Sequence, residues 1–94
     1  MNESWVFILS NHRGTVLYVG VTTNLQQRLE QHANGLGSAF TKKYRVTRLL
    51  YFETFHDVRF AIAREKEIKG WRRVRKEALI RKYNPRFEDL GEKV

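Results

Sequence analysis

The sequence predicts a single α+β domain over residues 1–94, with its elements in the order β-β-α-β-α-α. Three observations predict it. The length suits one hydrophobic core. Hydrophobic residues at 41% and aromatics at 13% are enough to fill that core, which argues against disorder. Two β-rich runs divided by turn residues open the chain, and segments with helical spacing occupy most of the rest.

Trp5-Val6-Phe7-Ile8-Leu9 is the first predicted strand, bounded by the turn-forming Ser10-Asn11-His12-Arg13-Gly14. Thr15 to Val21 is the second. The two form a hairpin, with Gly14 supplying the positive φ that such turns often need. Helix one spans Asn24 to Asn34: Thr23 starts a capping box closing on Gln26, Leu25, Leu29 and Ala33 recur at four-residue spacing, and Gly35 stands at the C-cap. Gly35 to Lys43 is small and basic and reads as a mobile loop. Val46 to Phe55 contains the unbroken run Leu49-Leu50-Tyr51-Phe52, which predicts a central strand buried on both faces. Asp57 caps a second helix reaching Lys69, and Gly70 breaks it. Trp71 to Tyr83 forms a third helix with Val74, Ala78 and Leu79 inward, ended by Asn84-Pro85 because proline disfavours helical geometry in the residue before it.

Lysine and arginine total 18 against 10 acids, a net charge of +8. Between Arg64 and Lys82 nine basic residues face three acids, so +6 of that charge lies in one fifth of the chain. A concentrated basic surface attracts polyanions, and phosphate backbones are the commonest such partner; the competing reading is a solubilising helix face. Lys42, Lys43, Lys69, Arg72, Arg73 and Lys76 are the candidate nucleic-acid contacts. The absence of cysteine excludes disulfides, thiolate metal sites and a cysteine nucleophile, and fits a cytoplasmic setting. No apolar run approaches the roughly 20 residues that cross a bilayer. The N-terminal apolar stretch of five residues lacks a basic flank and reads as a strand, not a signal peptide.

Tyr18 stands near the end of the second strand, before Gly20, and Phe7 lies eleven residues earlier, so the two rings are able to pair across neighbouring strands. Core packing explains Phe7 completely. It explains Tyr18 less well, because a buried hydroxyl needs a partner. Arg28 and His32, four apart, share a helix face. A guanidinium grips a phosphate through two hydrogen bonds and an imidazole exchanges a proton, although the same pair also fits an ordinary solvated face. Glu65, one turn from Ala61 and Ile68, lies on or beside an apolar helix face. A carboxylate there either pairs with a cation, Arg64 or Lys69, or holds a metal ion. No carboxylates or histidines have two-metal spacing. One hard cation such as magnesium or manganese, held by a single carboxylate with water and phosphate, is what this inventory supports.

Phe7, Tyr18-Val19-Gly20, Arg28 and Glu65 fall in the order and spacing of the GIY-YIG endonucleases, which the chain resembles from about Trp5 to Leu90. The run Ala63 to Trp71 and the pair Asn84-Pro85 resemble the small stand-alone bacterial branch. The resemblance implies a small three-stranded antiparallel sheet flanked by about three helices, and cleavage of a DNA phosphodiester with one divalent metal. It implies that Tyr18 positions or activates water or phosphate, that Arg28 stabilises charge growing on the phosphate, and that Glu65 holds the metal. His32 matches an acid/base or phosphate contact, and Asn84 a further site residue. One position departs from the pattern: the first motif normally ends in tyrosine, and here it is Phe7, which keeps the ring and lacks its titratable oxygen. Three outcomes stay open. Another group takes over water activation, or the domain binds nucleic acid without cutting it, or only the fold survives.

Overall fold

The computed structural model describes residues 3–94; Met1 and Asn2, the first residues of the expected domain, lie outside the described residues. β1 (Ser4–Ser10) and β2 (Leu17–Thr22) form the expected hairpin. They are followed by α1 (Leu25–Ala33), α2 (Ala39–Tyr44), β3 (Arg48–Phe55), α3 (Val58–Lys69) and α4 (Arg73–Tyr83), with a 3-10 turn at Gly91–Lys93. The sheet is antiparallel in the order β2-β1-β3. The α+β class and the three-stranded sheet agree with the expectation; four α-helices flank the sheet, not three.

Local chemistry explains the hairpin. Asn11 Oδ1 accepts from the amides of Thr15 (2.9 Å) and Val16 (3.1 Å), and Gly14 adopts φ +70, so side chain and glycine together close the turn. Strand alternation then divides the core. Val6, Ile8 and Val19 face Ala61, Ile68 and Ile80 of α3 and α4, whereas Phe7 and Leu9 face Leu25 of α1 together with Val46 and Leu49. One layer of the domain is therefore α3 and α4; the opposite layer is α1 and α2.

Four expectations are corrected. β1, not β3, is the central strand: Val6 to Leu9 are wholly buried, and β3 pairs with β1 alone among the strands. β3 reads as doubly buried because alternation sends Leu49 and Phe52 to one layer, a bulge opposite Ile8 and Leu9 puts both Leu50 and Tyr51 in the other, and the C-terminal tail covers its outer edge. Leu90 N–H donates to the Leu49 carbonyl (2.7 Å), Asp89 Oδ1 accepts from Leu49 N–H (3.1 Å), and the Asn84 amide donates to the Leu50 carbonyl (3.0 Å). The expected mobile loop contains α2, capped by Ser38, whose Oγ accepts from Thr41 N–H at 3.1 Å, and ended by Arg45 in the left-handed region at φ 54. Helix α1 is capped by Asn24, not Thr23: its side chain accepts from Gln27 N–H at 3.0 Å. Finally, α4 starts at Arg73 and buries Ile80, while Val74 is 74% exposed. With so little apolar surface, α4 is also fastened by Arg73, which donates to the carbonyls of Gly14 and Thr15 and pairs with Glu77 at 2.6 Å. Asp57 caps α3 as expected, accepting from Arg59 N–H at 2.9 Å.

Candidate active site

The α1 layer carries the densest chemistry. Tyr18, half-buried on β2, has its ring centroid 5.5 Å from that of His32 and 6.3 Å from that of Phe7; Phe7 and His32 lie 6.1 Å apart, edge to face. Three of the expected site residues therefore form one aromatic cluster. Gly20 pairs with Phe7 across the strands, and the tip of the Phe7 ring fills the space a side chain at position 20 would need. Arg28, one turn before His32, is half-buried and donates to Gln31 Oε1 at 3.3 Å.

His32 is 2% exposed, and neither ring nitrogen has a hydrogen-bond partner among the described residues. Buried imidazoles are ordinarily satisfied, so this one stands out. Burial, reinforced by the charge of Arg28, lowers its pKa from the usual 6.5. The ring is accordingly neutral at physiological pH, with one N–H and one lone pair. Gly37 is pressed against it: a Cβ there would come within 2.3 Å of Nδ1. A cleft of about 310 Å³ opens beside it, lined by His32, Gly35, Thr41, Lys42, Arg45 and Thr47. A larger concavity of about 630 Å³ lies among Ser4, Thr23, His56 and Asp57, at the end of β1 remote from Tyr18.

Glu65 is 7% exposed, as its helix position predicts, and its Oε2 lies 2.5 Å from Lys69 Nζ. Of the two expected cationic partners it takes Lys69. Arg64 instead forks onto Glu53 (Nη2 to Oε2, 2.9 Å) and reaches Glu67 at 2.7 Å. Glu53 also accepts from the Tyr51 hydroxyl, and burial together with that pairing raises the Tyr51 pKa far above its usual value. Glu65 belongs to α3, whose Ala61 and Ile68 pack in the layer on the other face of the sheet from Phe7 and Leu25. The structure brings Phe7, Tyr18 and His32 together, with Arg28 one turn away on α1, and pairs Glu65 with Lys69 on α3.

Among the described residues no three His, Cys, Asp or Glu side chains converge. A lone buried carboxylate suits a hard divalent ion that keeps most of its water. Replacing the Lys69 ammonium beside Glu65 by such an ion would keep the carboxylate compensated.

The remaining expected positions fall in several places. The Asn84 side chain, 6% exposed, donates to the carbonyls of Leu50 and Glu88 (2.8 Å for the latter) and accepts from Glu88 N–H at 3.1 Å, so it stitches the tail to β3. Lys42 and Lys43 are exposed on α2 beside the aromatic cluster. Arg72, Arg73 and Lys76 belong to the α4 layer across the sheet. Arg73 is occupied by the hairpin and Glu77, while Arg72 and Lys76 make no ion pair among the described residues. The cations thus form two regions, not one patch. Sequence reasoning missed Phe40, whose ring lies over Tyr18 at 6.3 Å with 27° between planes, and Tyr44, 4.9 Å beyond it. Their four-residue spacing was the available signal.

This domain, with a hairpin-borne Tyr-Val-Gly, an Arg-x-x-x-His helix and a glutamate on the helix behind, matches the family model described as the GIY-YIG catalytic domain over residues 3–84, and the chain belongs to that family, part of a nuclease superfamily. Its relatives include small UPF0213 proteins. One from Clostridium perfringens is 39% identical over 77 residues, 82% of each chain, and one from Natronomonas pharaonis is 36% identical over 78 residues, 83% of this chain and 91% of that one. The solution NMR structure of a UPF0213 protein from Bacillus halodurans superposes with a TM-score of 0.60 at 29% identity, covering 96% of this chain and 95% of the other. No helix among the described residues is long and apolar enough to cross a membrane.

Proposed function

We propose that this chain binds DNA and hydrolyses its phosphodiester bonds as a divalent-metal-dependent endonuclease. The observation that carries the reading is the contact between the Tyr18 ring and a buried imidazole with two unpaired nitrogens, with a guanidinium one turn away on the same helix. Neutral His32, once a ring nitrogen now sealed in the cluster is uncovered, would take a proton from water or donate one to a phosphate oxygen. The Tyr18 hydroxyl orients the same reactant, and Arg28 offsets charge that builds on the phosphoryl oxygens. Glu65 would hold magnesium or manganese, which supplies Lewis acidity toward a phosphoryl oxygen. Lys42 and Lys43 hold the strand by its backbone, so affinity depends on salt more than on base sequence.

Two observations favour a second reading, a binding module without cleavage: Glu65 is already paired with Lys69, and position 7 has no hydroxyl. Nicking of supercoiled plasmid in magnesium or manganese separates the two. Cleavage by the wild type that vanishes in Glu65→Ala supports the nuclease. Salt-sensitive binding without cleavage supports the module, and cleavage appearing only in Phe7→Tyr identifies the missing oxygen as the cause.

A further inference from the structure

Helix α2 is six residues long, and its only buried residue is Thr41. Yet it presents two large aromatic side chains: Phe40 is 46% exposed and Tyr44 is 41% exposed. They continue a line of rings that starts in the core. From wholly buried Phe7 the centroids step 6.3 Å to Tyr18, 6.3 Å to Phe40 and 4.9 Å to Tyr44. Phe40 lies against Tyr18 of the candidate site, and Tyr44 extends the line outward with Lys43 Nζ over its ring.

Charge accompanies the rings. Lys42 and Lys43 lie between Phe40 and Tyr44 in sequence, Lys43 Nζ stands 5.3 Å from the Tyr44 ring centroid, and Arg45 caps the helix. None of these three cations has an ion-pair partner among the described residues. Flat rings interleaved with unpaired cations are the features that hold a single nucleic-acid strand: the cations follow the backbone and the rings stack on bases. A duplex keeps its base faces covered, so rings of this kind gain little from it. A second protein would be met by three uncompensated positive charges at the centre of the contact, which is unfavourable for an apolar interface.

We infer that Phe40 and Tyr44 form a stacking platform for unpaired bases, which makes an unpaired segment of a DNA strand the preferred substrate of the Tyr18–His32 site. This rests on the nucleic-acid reading above and adds the class of substrate to it. In that arrangement the strand leaves the site over α2, bases on Phe40 and Tyr44, phosphates toward Lys42, Lys43 and Arg45.

The test uses the full chain and a short single-stranded DNA carrying 2-aminopurine, whose fluorescence falls when the base stacks, with a hairpin duplex of the same composition alongside. The variants are Phe40→Leu and Tyr44→Leu, which keep apolar bulk and remove the flat ring; thermal melting checks their folding. Because Tyr44 lies at the outer end of the line, Tyr44→Leu decides the matter even where Phe40→Leu unfolds. Quenching and tighter binding of the single strand are expected in the wild type. Each ring removal should weaken single-strand binding by roughly five- to hundredfold and duplex binding by less than about twofold. Equal losses on both DNAs, unchanged affinity in Tyr44→Leu, or absence of quenching overturns the inference. Plasmid nicking by a wild type that does not quench the probe would sink the platform and leave the nuclease intact; quenching without nicking would do the reverse.

Discussion

Gly20→Ala is the sharpest test of how the site is packed. Gly20 is buried and pairs with Phe7 across β1 and β2. A Cβ at position 20 would stand 2.4 Å from Phe7 Cζ and 2.9 and 3.0 Å from the two Cε atoms. Phe7 is 0% exposed and is hemmed in by the rings of Tyr18 and His32, so it cannot swing aside into solvent. The φ of Gly20 is not positive, which makes the penalty steric and not conformational. Overpacking costs about 1–3 kcal/mol, and the stiffer unfolded chain of alanine returns about 0.4–1 kcal/mol. The net loss is about 1–2 kcal/mol, a fall in Tm of roughly 5–15 °C for a domain of this size. Urea denaturation followed by tryptophan fluorescence measures it. Shortening the ring with Phe7→Leu in the Gly20→Ala background should restore part of the loss, with a coupling of about 0.5–3 kcal/mol. A Gly20→Ala variant within about 0.5 kcal/mol of wild type, or strictly additive effects in the double variant, would refute the contact as the reason for glycine here.

The lowered pKa of His32 carries a pH signature: the unfolded chain takes up the proton more readily, so its contribution is complete above pH 6.5 and is lost as pH falls through the folded-state value. Urea midpoints of wild type and His32→Phe across that range should show a shallower acid decline in the variant. Asn84→Ala removes one hydrogen bond to β3, at the Leu50 carbonyl, and two that fold the tail back at Glu88; a loss of about 1–3 kcal/mol, with faster hydrogen exchange at the Leu49 and Leu90 amides, is expected. Phe7→Tyr should lie within about 1 kcal/mol of wild type if its hydroxyl reaches an imidazole nitrogen, and should cost about 1–3 kcal/mol once His32→Phe removes that partner. Thermal melts of the four variants in that cycle measure the difference.

Much of the fold was legible because its signals are local. Gly14 at φ +70, Asp57 capping α3 and Gly35 at φ +74 each act within a few residues of themselves. What escaped depends on partners far along the chain. The continuous run Leu49 to Phe52 reads as a central strand until the tail is seen to lie on its outer edge, some forty residues downstream. Helix α2 was hidden because six residues offer too little periodicity to outweigh Gly35 and Gly37, and its caps, Ser38 and a left-handed Arg45, declare themselves only in three dimensions. Val74 was expected inward on apolarity alone, yet α4 is oriented by Ile80 and by Arg73 on the hairpin carbonyls. In the candidate site, Tyr18 and His32 were foreseen singly; their contact across β2 and α1 was not. Glu65 was legible as a buried carboxylate, but its choice of Lys69 over Arg64 turns on Glu53, a residue of another strand.

Phe7 and His32 are best understood together. Elsewhere the domain satisfies its buried polar groups closely: Asn84 makes three hydrogen bonds, and Thr41 is paired with Ser38. Against that background an imidazole with two idle nitrogens is a local violation, and such violations concentrate where a protein does chemistry. The ring that shares its pocket is Phe7, where the resemblance to the GIY-YIG motif implies a tyrosine. The absent hydroxyl and the unpaired imidazole thus meet in one aromatic cluster. If His32 alone suffices for proton transfer, Phe7 is a harmless trimming of the cluster. If it does not, what remains is the proposed binding module, with the cations of α2 and the exposed rings beside Tyr18.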